Sequence, residues 1–272
     1  MEIVQQTARA VASMLGRNSA LIRGIRPMYE SILMSLHEGK GIPWQVNGVE
    51  YRVDAKERPR FAHNYEAQTA EFLAKRIKPG MTCFDVGANV GAYVLQLAHW
   101  SGPSGKIVAF EPNTGAREVL ARHIAWNGTA DRVTVVPSAI SSSPGESVLY
   151  AEGADGMSRL AEANRGLRST AVEMVVPVTS LDTWCEANQV WPDVLLLDIE
   201  GFEIEALRGA RAVLARSKPL IAVEMHPNVW HTSNASRPAV EELLAELHLR
   251  AVPLSGQKDP LDEHGQVWLE HV

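Results

Sequence analysis

The sequence predicts an α/β fold: a mostly parallel sheet with helices on both faces, preceded by a helical and hairpin extension. Three observations predict it. From about residue 65 onward, short apolar runs of strand length alternate with amphipathic stretches of helix length. The first of these strands enters a glycine turn, Gly87 to Gly91, that opens a helix. The last two strands have no helix between them, which predicts an antiparallel strand at the far end of the sheet.

Residues 3–38 read as one or two helices, with apolar positions at helical spacing around Ile3, Val4, Ala8, Val11, Met14 and Leu15 and again at Ile32, Leu33 and Leu36. Polar residues interrupt the stretch from Met1 to Arg26, so it lacks the compact apolar centre of a signal peptide. Residues 44–54 read as a hairpin about Asn47-Gly48, a pair that tolerates positive φ at both positions. Residues 1–60 therefore form an extension, a lid or a homo-oligomer contact, and residues 61–272 form the main domain.

Within that domain a helix is expected over Tyr65–Ile77, ended by Lys78-Pro79-Gly80. Strand Thr82–Val86, helix Gly91–Trp100, strand Lys106–Glu111 and helix Gly115–Asn127 follow, then strands at Val133–Pro137 and Ser147–Ala151. Gly153–Thr170 is polar and reads as a loop beside the site. The series closes with helix Ser180–Asn188, strand Val194–Asp198, helix Ile204–Ala215, strand Leu220–Glu224 and helix Ala239–Leu247. Short strands near Arg250–Leu254 and Gln266–Leu269 end it.

The bulk properties narrow the function. The chain has 272 residues, 46% hydrophobic and 21% charged, which suits one large α/β domain. Its formal net charge is −6 and it carries no dense Lys/Arg block, so nucleic acid is not the expected partner. No apolar run is long enough to span a bilayer, so no stable membrane insertion is expected. The two cysteines, Cys83 and Cys185, lack metal or disulfide spacing, which suits a reducing, cytoplasmic setting.

Two motifs carry the chemistry. In CFDVGANVGAY, residues 83–93, a strand delivers Asp85 to a turn made by Gly87, Ala88, Asn89 and Gly91. The spacing Gly-x-x-x-Gly is not the dinucleotide fingerprint, and an acidic Asp85 suits a cationic amino-acid moiety better than a phosphate. In IVAFEPN, residues 107–113, Glu111 ends the next strand, where a carboxylate can accept hydrogen bonds from a ribose diol.

Residues 65–226 resemble the FkbM-type methyltransferases. The matching pieces are DVGANVGAY (85–93), VAFEPN (108–113), SLDTW (180–184), DIEGFEIEALRGA (198–210) and IAVEMHP (221–227). The resemblance implies a class I methyltransferase fold: a Rossmann-like seven-stranded sheet, mostly parallel, with the last strand antiparallel. It also implies S-adenosyl-L-methionine as cofactor and methylation of hydroxyl groups on small molecules, sugars or secondary metabolites. In that fold Asp85, Gly87 and Gly91 would face the methionine end of the cofactor. Glu111 would hold the ribose, and Asn113 would lie near the adenine, with Ser138 and Ala139 flanking the ring; Ala88, Asn89 and Pro112 would be further cofactor-binding residues. Tyr65 is a further cofactor contact implied by the resemblance. One departure stands out. The family commonly has a lysine two residues before the Asp of its Asp-x-Glu-Gly segment, and this chain has Leu196 there.

Asp198, Glu224 and His226 end two adjacent strands, so they should converge beyond the carboxyl edge of the sheet, with Asp198 also touching the cofactor. Asp198 or His226 could act as general base on the acceptor hydroxyl. Alternatively, Asp198, Glu224 and His226 could hold a divalent metal, a reading that is not favoured. Glu200 and Glu203 read as carboxylates stabilising the start of the next helix. The expected acceptor is a small molecule or glycoside. An amine or carboxyl acceptor, a dinucleotide-dependent oxidoreductase and a non-catalytic cofactor-binding protein are the competing readings.

Overall fold

The computed structural model describes residues 20–151, 159–160, 172–233 and 235–272. The chain divides into two compact units, Met1–His63 and Asn64–Val272.

In the first unit, helix α1 (Ala20–Leu36) precedes an antiparallel hairpin of β1 (Ile42–Val46) and β2 (Val49–Val53). Val46 pairs with Val49 across the expected turn, where Asn47 and Gly48 both take positive φ, 48° and 82°. The Trp44 indole stacks on His63 with centroids 4.5 Å apart and donates to the Phe61 carbonyl, which ties the hairpin to the chain that follows it. Ile25, Met28, Ile32 and Leu36 lie exposed at helical spacing on α1. The expected helix at residues 3–19 lies outside the described residues.

The second unit holds helix α2 (Ala67–Arg76), β3 (Thr82–Val86), α3 (Ala92–Trp100), β4 (Lys106–Phe110), α4 (Thr114–Trp126) and β5 (Val133–Val136). Three short strands follow: β6 (Ala139–Ile140), β7 (Gly145–Ala151) and β8 (Arg159–Leu160). Then come β9 (Val172–Thr179), α5 (Leu181–Asn188), β10 (Val194–Leu197), α6 (Glu203–Arg208), α7 (Arg211–Ser217) and β11 (Leu220–Met225). The last elements are α8 (Arg237–Glu246), β12 (Leu249–Pro253) and β13 (Gly265–His271).

Seven strands form the main sheet in the order β12-β13-β11-β10-β3-β4-β5. Its central pairings are parallel, and β13 is antiparallel to both of its neighbours. The chain thus has the expected Rossmann-like seven-stranded sheet with an antiparallel last strand. One expectation needs correction: β13 is not at the sheet's end. Leu269 pairs with Ile221 on one side and Ala251 on the other, so β13 fills the slot between β11 and β12 and leaves β12 at the edge. Burial explains the placement. Val267 and Leu269 are fully buried, which suits a strand paired on both sides.

Two further differences bear on the site. The single helix expected over Ile204–Ala215 is broken into α6 and α7. The Asp182 carboxylate accepts from the N–H groups of Ala212 and Val213 at 3.0 and 2.9 Å, so a side chain from α5 starts a new helix there. The sequence reading also contains no strand at residues 172–179, where the structure has β9 at the heart of a second sheet, β6-β9-β7-β8. Val176 and Val178 point inward and Val175 is exposed, the alternation of a half-buried strand. Apart from Arg159–Leu160, the expected loop Gly153–Thr170 lies outside the described residues. Among the described residues no helix is long and apolar enough to cross a membrane.

Asp182→Ala removes the acceptor that starts α7. It should lower stability by about 1 kcal/mol, read as a lower urea midpoint with an unchanged slope. An unchanged midpoint would mean that α7 starts without this contact.

Candidate active site

The loop after β3 is set by steric exclusion. Gly87 has φ 92°, and a Cβ built on it would fall 1.8 Å from the Asp198 carbonyl oxygen. No other residue lets this loop lie directly on the end of β10. Gly91, at φ 96°, turns the chain into α3, and a Cβ there would meet Leu120 at 2.6 Å.

The loop's donors are used within the protein. Gly87 N–H and Ala88 N–H both donate to the Phe110 carbonyl, and Gly91 N–H donates to that of Ala88. Asn89 N–H donates to Glu111 Oε2 at 2.7 Å, and Val90 N–H to the Asn89 side-chain oxygen at 2.7 Å. A phosphate-binding turn needs such groups free to point at its ligand. This turn therefore offers a close backbone surface rather than a phosphate cradle, which counts against the dinucleotide reading.

Beside the loop lies a pocket open to solvent. Of the residues the sequence singles out, Gly87, Asn89, Glu111, Pro112, Ser138, Ala139 and Asp198 line it. Phe110, Leu149 and Phe202 supply apolar wall, and Leu149 comes from the second sheet. Glu111 is buried, and its two oxygens each accept one backbone N–H, from Asn89 and from Asn113, both at 2.7 Å. Each oxygen keeps a further lone pair for a ligand hydroxyl. Burial raises its pKa to about 7, against the pull of those two hydrogen bonds.

The Asn113 side chain has a structural task. Its side-chain oxygen caps α4, accepting from Gly115 N–H at 2.9 Å. Asn113, Ala88, Gly91, Asp85, Tyr65, Glu224 and His226 stand behind or beside the pocket rather than on its lining.

Behind the loop is a group of carboxylates short of cations. Asp85 is 2% exposed and its Oδ2 has no hydrogen-bond partner. Burial, then the charges of Glu111 and Glu66, raise its pKa to about 8. Its register neighbour on β10 is Leu196, fully buried and uncharged. Glu66 occupies a left-handed conformation, φ 40°, at the start of α2, yet its side chain does not cap that helix. Its Oε2 instead accepts from the Tyr93 hydroxyl at 2.7 Å, and burial raises its pKa to about 7. Asp198 is raised by burial first and then by Glu224, with which it shares a hydrogen bond. The buried Tyr65 hydroxyl stands in the field of Glu66, Asp198, Asp85 and Glu224.

Glu224 continues this group toward two histidines. Its Oε1 meets His264 Nε2 at 2.8 Å. His226 lies against His264, with ring centroids 4.6 Å apart, and its Nδ1 is 2.6 Å from Oε1 of the fully buried Glu203. Glu203 also accepts from Gly201 N–H at 2.7 Å and Trp230 Nε1 at 3.4 Å. So Asp198, Glu224 and His226 do converge, but as a chain centred on Glu224. Sequence reasoning missed His264 and the hold of Glu203 on His226.

The sequence matches the methyltransferase FkbM domain over residues 85–251, more than half of the chain. The chain belongs to the FkbM methyltransferase family. It is 28% identical over 190 residues to methyltransferase sdnD of Sordaria araneosa, a match covering 60% of this chain and 71% of that protein. It is also 28% identical over 171 residues to the hexuronic acid methyltransferase AglP of Haloferax volcanii, covering 60% of this chain and 64% of that one. The crystal structure of methyltransferase FkbM from Methylobacillus flagellatus KT aligns at 16% identity and a TM-score of 0.47, over 71% of this chain and 44% of that one. The chain thus spans less than two thirds of the Haloferax and Methylobacillus proteins, and the structural likeness is too slight to carry weight.

The match makes the main domain a methyltransferase FkbM domain, for which S-adenosylmethionine is the expected methyl donor. The residues present suit that cofactor. Its methionine end is cationic, and Asp85 offers a buried carboxylate oxygen with no protein partner.

Such a cation favours the ionised carboxylates, so binding should release protons. With Asp85 near 8 and Glu66 near 7, affinity for S-adenosylmethionine should rise between about pH 6 and pH 8 and then level off. Calorimetry in buffers of different ionisation enthalpy should detect the released proton, and Asp85→Asn should diminish it. A binding heat independent of buffer would contradict this account.

Proposed function

We propose that the chain methylates a hydroxyl group on a small molecule or glycoside. The observation that carries this reading is the Asp198–Glu224 pair. Asp198 stands on the pocket lining, and burial with a carboxylate neighbour raises its pKa well above the usual range. A carboxylate so raised is a better proton acceptor for an alcohol than an ordinary one. The similarity to a protein named as a hexuronic acid methyltransferase supports a sugar-like acceptor.

Bound in the pocket, S-adenosylmethionine would supply a methyl group on positively charged sulfur. Glu111 is assigned to the ribose hydroxyls, and Ser138 and Ala139 to the wall beside the adenine. Gly87, Ala88, Asn89, Gly91 and Pro112 shape the surface against which the cofactor rests, and Asn113 acts through the helix cap and its N–H to Glu111. Asp85 and Tyr65 form the polar wall behind the methionine end. Asp198 takes the acceptor's proton, Glu224 holds Asp198 in place, and His226 extends that line of hydrogen-bonding groups. Self-association is assigned to the exposed face of α1, at Ile25, Met28, Ile32 and Leu36.

Two variants separate binding from chemistry. Glu111→Ala should weaken S-adenosylmethionine binding by about tenfold to a hundredfold, from the loss of charged hydrogen bonds. Asp198→Asn should lower turnover by about a hundredfold or more while changing cofactor affinity far less. The assay is S-adenosylhomocysteine release on incubation with uronic acids, neutral glycosides and polyols, with mass spectrometry locating the new methyl group. Methylation of nitrogen, or full turnover by Asp198→Asn, would overturn the assignment.

A further inference from the structure

The antiparallel pairing of β11 with β13 brings together residues far apart in the chain. Glu224 pairs with Gln266 and Met225 with Gly265. His226 follows the end of β11 and His264 precedes β13, so the two imidazoles meet at one end of the strand pair. One ligand-competent atom from each of Glu224, His226 and His264 lies within 4.8 Å of the other two. Those atoms are near enough together to share one ion.

The two histidine environments differ in a way that favours a ligand. His226 is 7% exposed, and Glu203 fixes its Nδ1 at 2.6 Å. With Nδ1 taken, Nε2 is the nitrogen left to bind. The carboxylate oxygen beside it, Glu200 Oε2, stands off at 3.9 Å, beyond hydrogen-bond range. His226 thus has its tautomer set by the Glu203 carboxylate behind it. That is how metal-binding histidines are commonly oriented. Glu203 is itself anchored by Gly201 N–H and the Trp230 indole, so the ring cannot swing away cheaply. His264 is exposed and offers Nε2 at 2.8 Å from Glu224 Oε1.

We propose that Glu224, His226 and His264 form a binding site for one divalent first-row transition metal ion. Two imidazoles with one carboxylate suit zinc, iron(II), cobalt(II) or manganese(II) better than the oxygen-seeking magnesium or calcium. Three protein ligands leave further positions open to water or another oxygen ligand. The metal reading expected from sequence placed Asp198 in the ligand set. Here Asp198 is joined to Glu224 from the other side, and His264 takes its place. Glu66, Asp198 and Glu224 form a second compact group, but one of three carboxylates alone. The site is independent of which acceptor is methylated, and its test needs no turnover.

The experiment is a titration of the untagged full chain with Co²⁺, followed by visible absorption and equilibrium dialysis. One ion per chain is expected, with the d–d bands of a nitrogen- and oxygen-ligated cobalt(II). His264→Ala, an exposed position that should not disturb folding, and Glu224→Gln should each weaken binding by about tenfold or more. Glu66→Gln should leave it nearly unchanged. Lack of saturable binding below about 1 mM would overturn the proposal, since such an ion would be held too weakly to occupy a specific site. Binding that survives both His264→Ala and Glu224→Gln would overturn it too. Binding lost in Glu66→Gln but kept in His264→Ala would place the ion among the three carboxylates and likewise refute it.

Discussion

The site depends on one steric constraint: the contact between Gly87 and the end of β10. A side chain at residue 87 would collide with the Asp198 carbonyl, so the β3 loop can lie on the neighbouring strand only because residue 87 is glycine. Parallel register then fixes the rest. Val86 pairs with Leu197, and Asp198 N–H donates to the Val86 carbonyl at 2.9 Å. The cofactor turn and the Asp198 carboxylate are thereby delivered to the same spot beyond the carboxyl edge of the sheet, where ligands of open α/β sheets bind. The same contact brings Glu111 into reach, since both Gly87 and Ala88 donate to the Phe110 carbonyl next to it.

What the constraint assembles is electrostatically incomplete. Glu66 acts as a like charge on Asp85 and Asp198, and Glu224 on Glu66 and Asp198, and with burial each of Asp85, Glu66 and Asp198 is raised above the usual carboxylate range. A cation at Leu196 would have relieved Asp85, its register neighbour. Leucine there keeps the core apolar and leaves the carboxylate oxygen for something that is not part of the chain. A methyl donor with positive charge at its sulfur and amino group is such a partner. The same imbalance explains why the turn is no phosphate site: an anion would meet buried acids, and the N–H groups that might receive it are already bonded.

Local features of the sequence were legible and long-range ones were not. The strand Thr82–Val86, the hairpin turn at Asn47-Gly48 and the glycine turn could be read because a few adjacent residues determine each of them. The site residues of the glycine turn, Gly87 and Asn89, and Glu111 after the next strand fall on the pocket. The cap that Asn113 supplies to the start of α4 was not read from its motif. The break between α6 and α7 was hidden because its cause, Asp182, lies on another helix. The slot occupied by β13, and with it the position of His264, follows from which strand fills a gap in the sheet. Periodicity along one strand carries no information about that.

Glu224 is the residue on which these two kinds of information meet. From one side it shares a hydrogen bond with Asp198, whose position follows from the local motif after β10. From the other it contacts His264, whose position follows from sheet topology. It therefore links the two halves of the site: the carboxylate that neighbours Asp198 is the same one that meets His264. Glu203 secures the histidine end of this chain without exchanging with solvent, because it is fully buried and bonded to the Gly201 N–H, the Trp230 indole and His226. Glu200, three residues earlier and more exposed, stands farther off, 3.9 Å from His226 Nε2. Of the two acids first read as stabilising a helix start, the buried one therefore sets the imidazole's tautomer and aim, and does so from the first residue of α6.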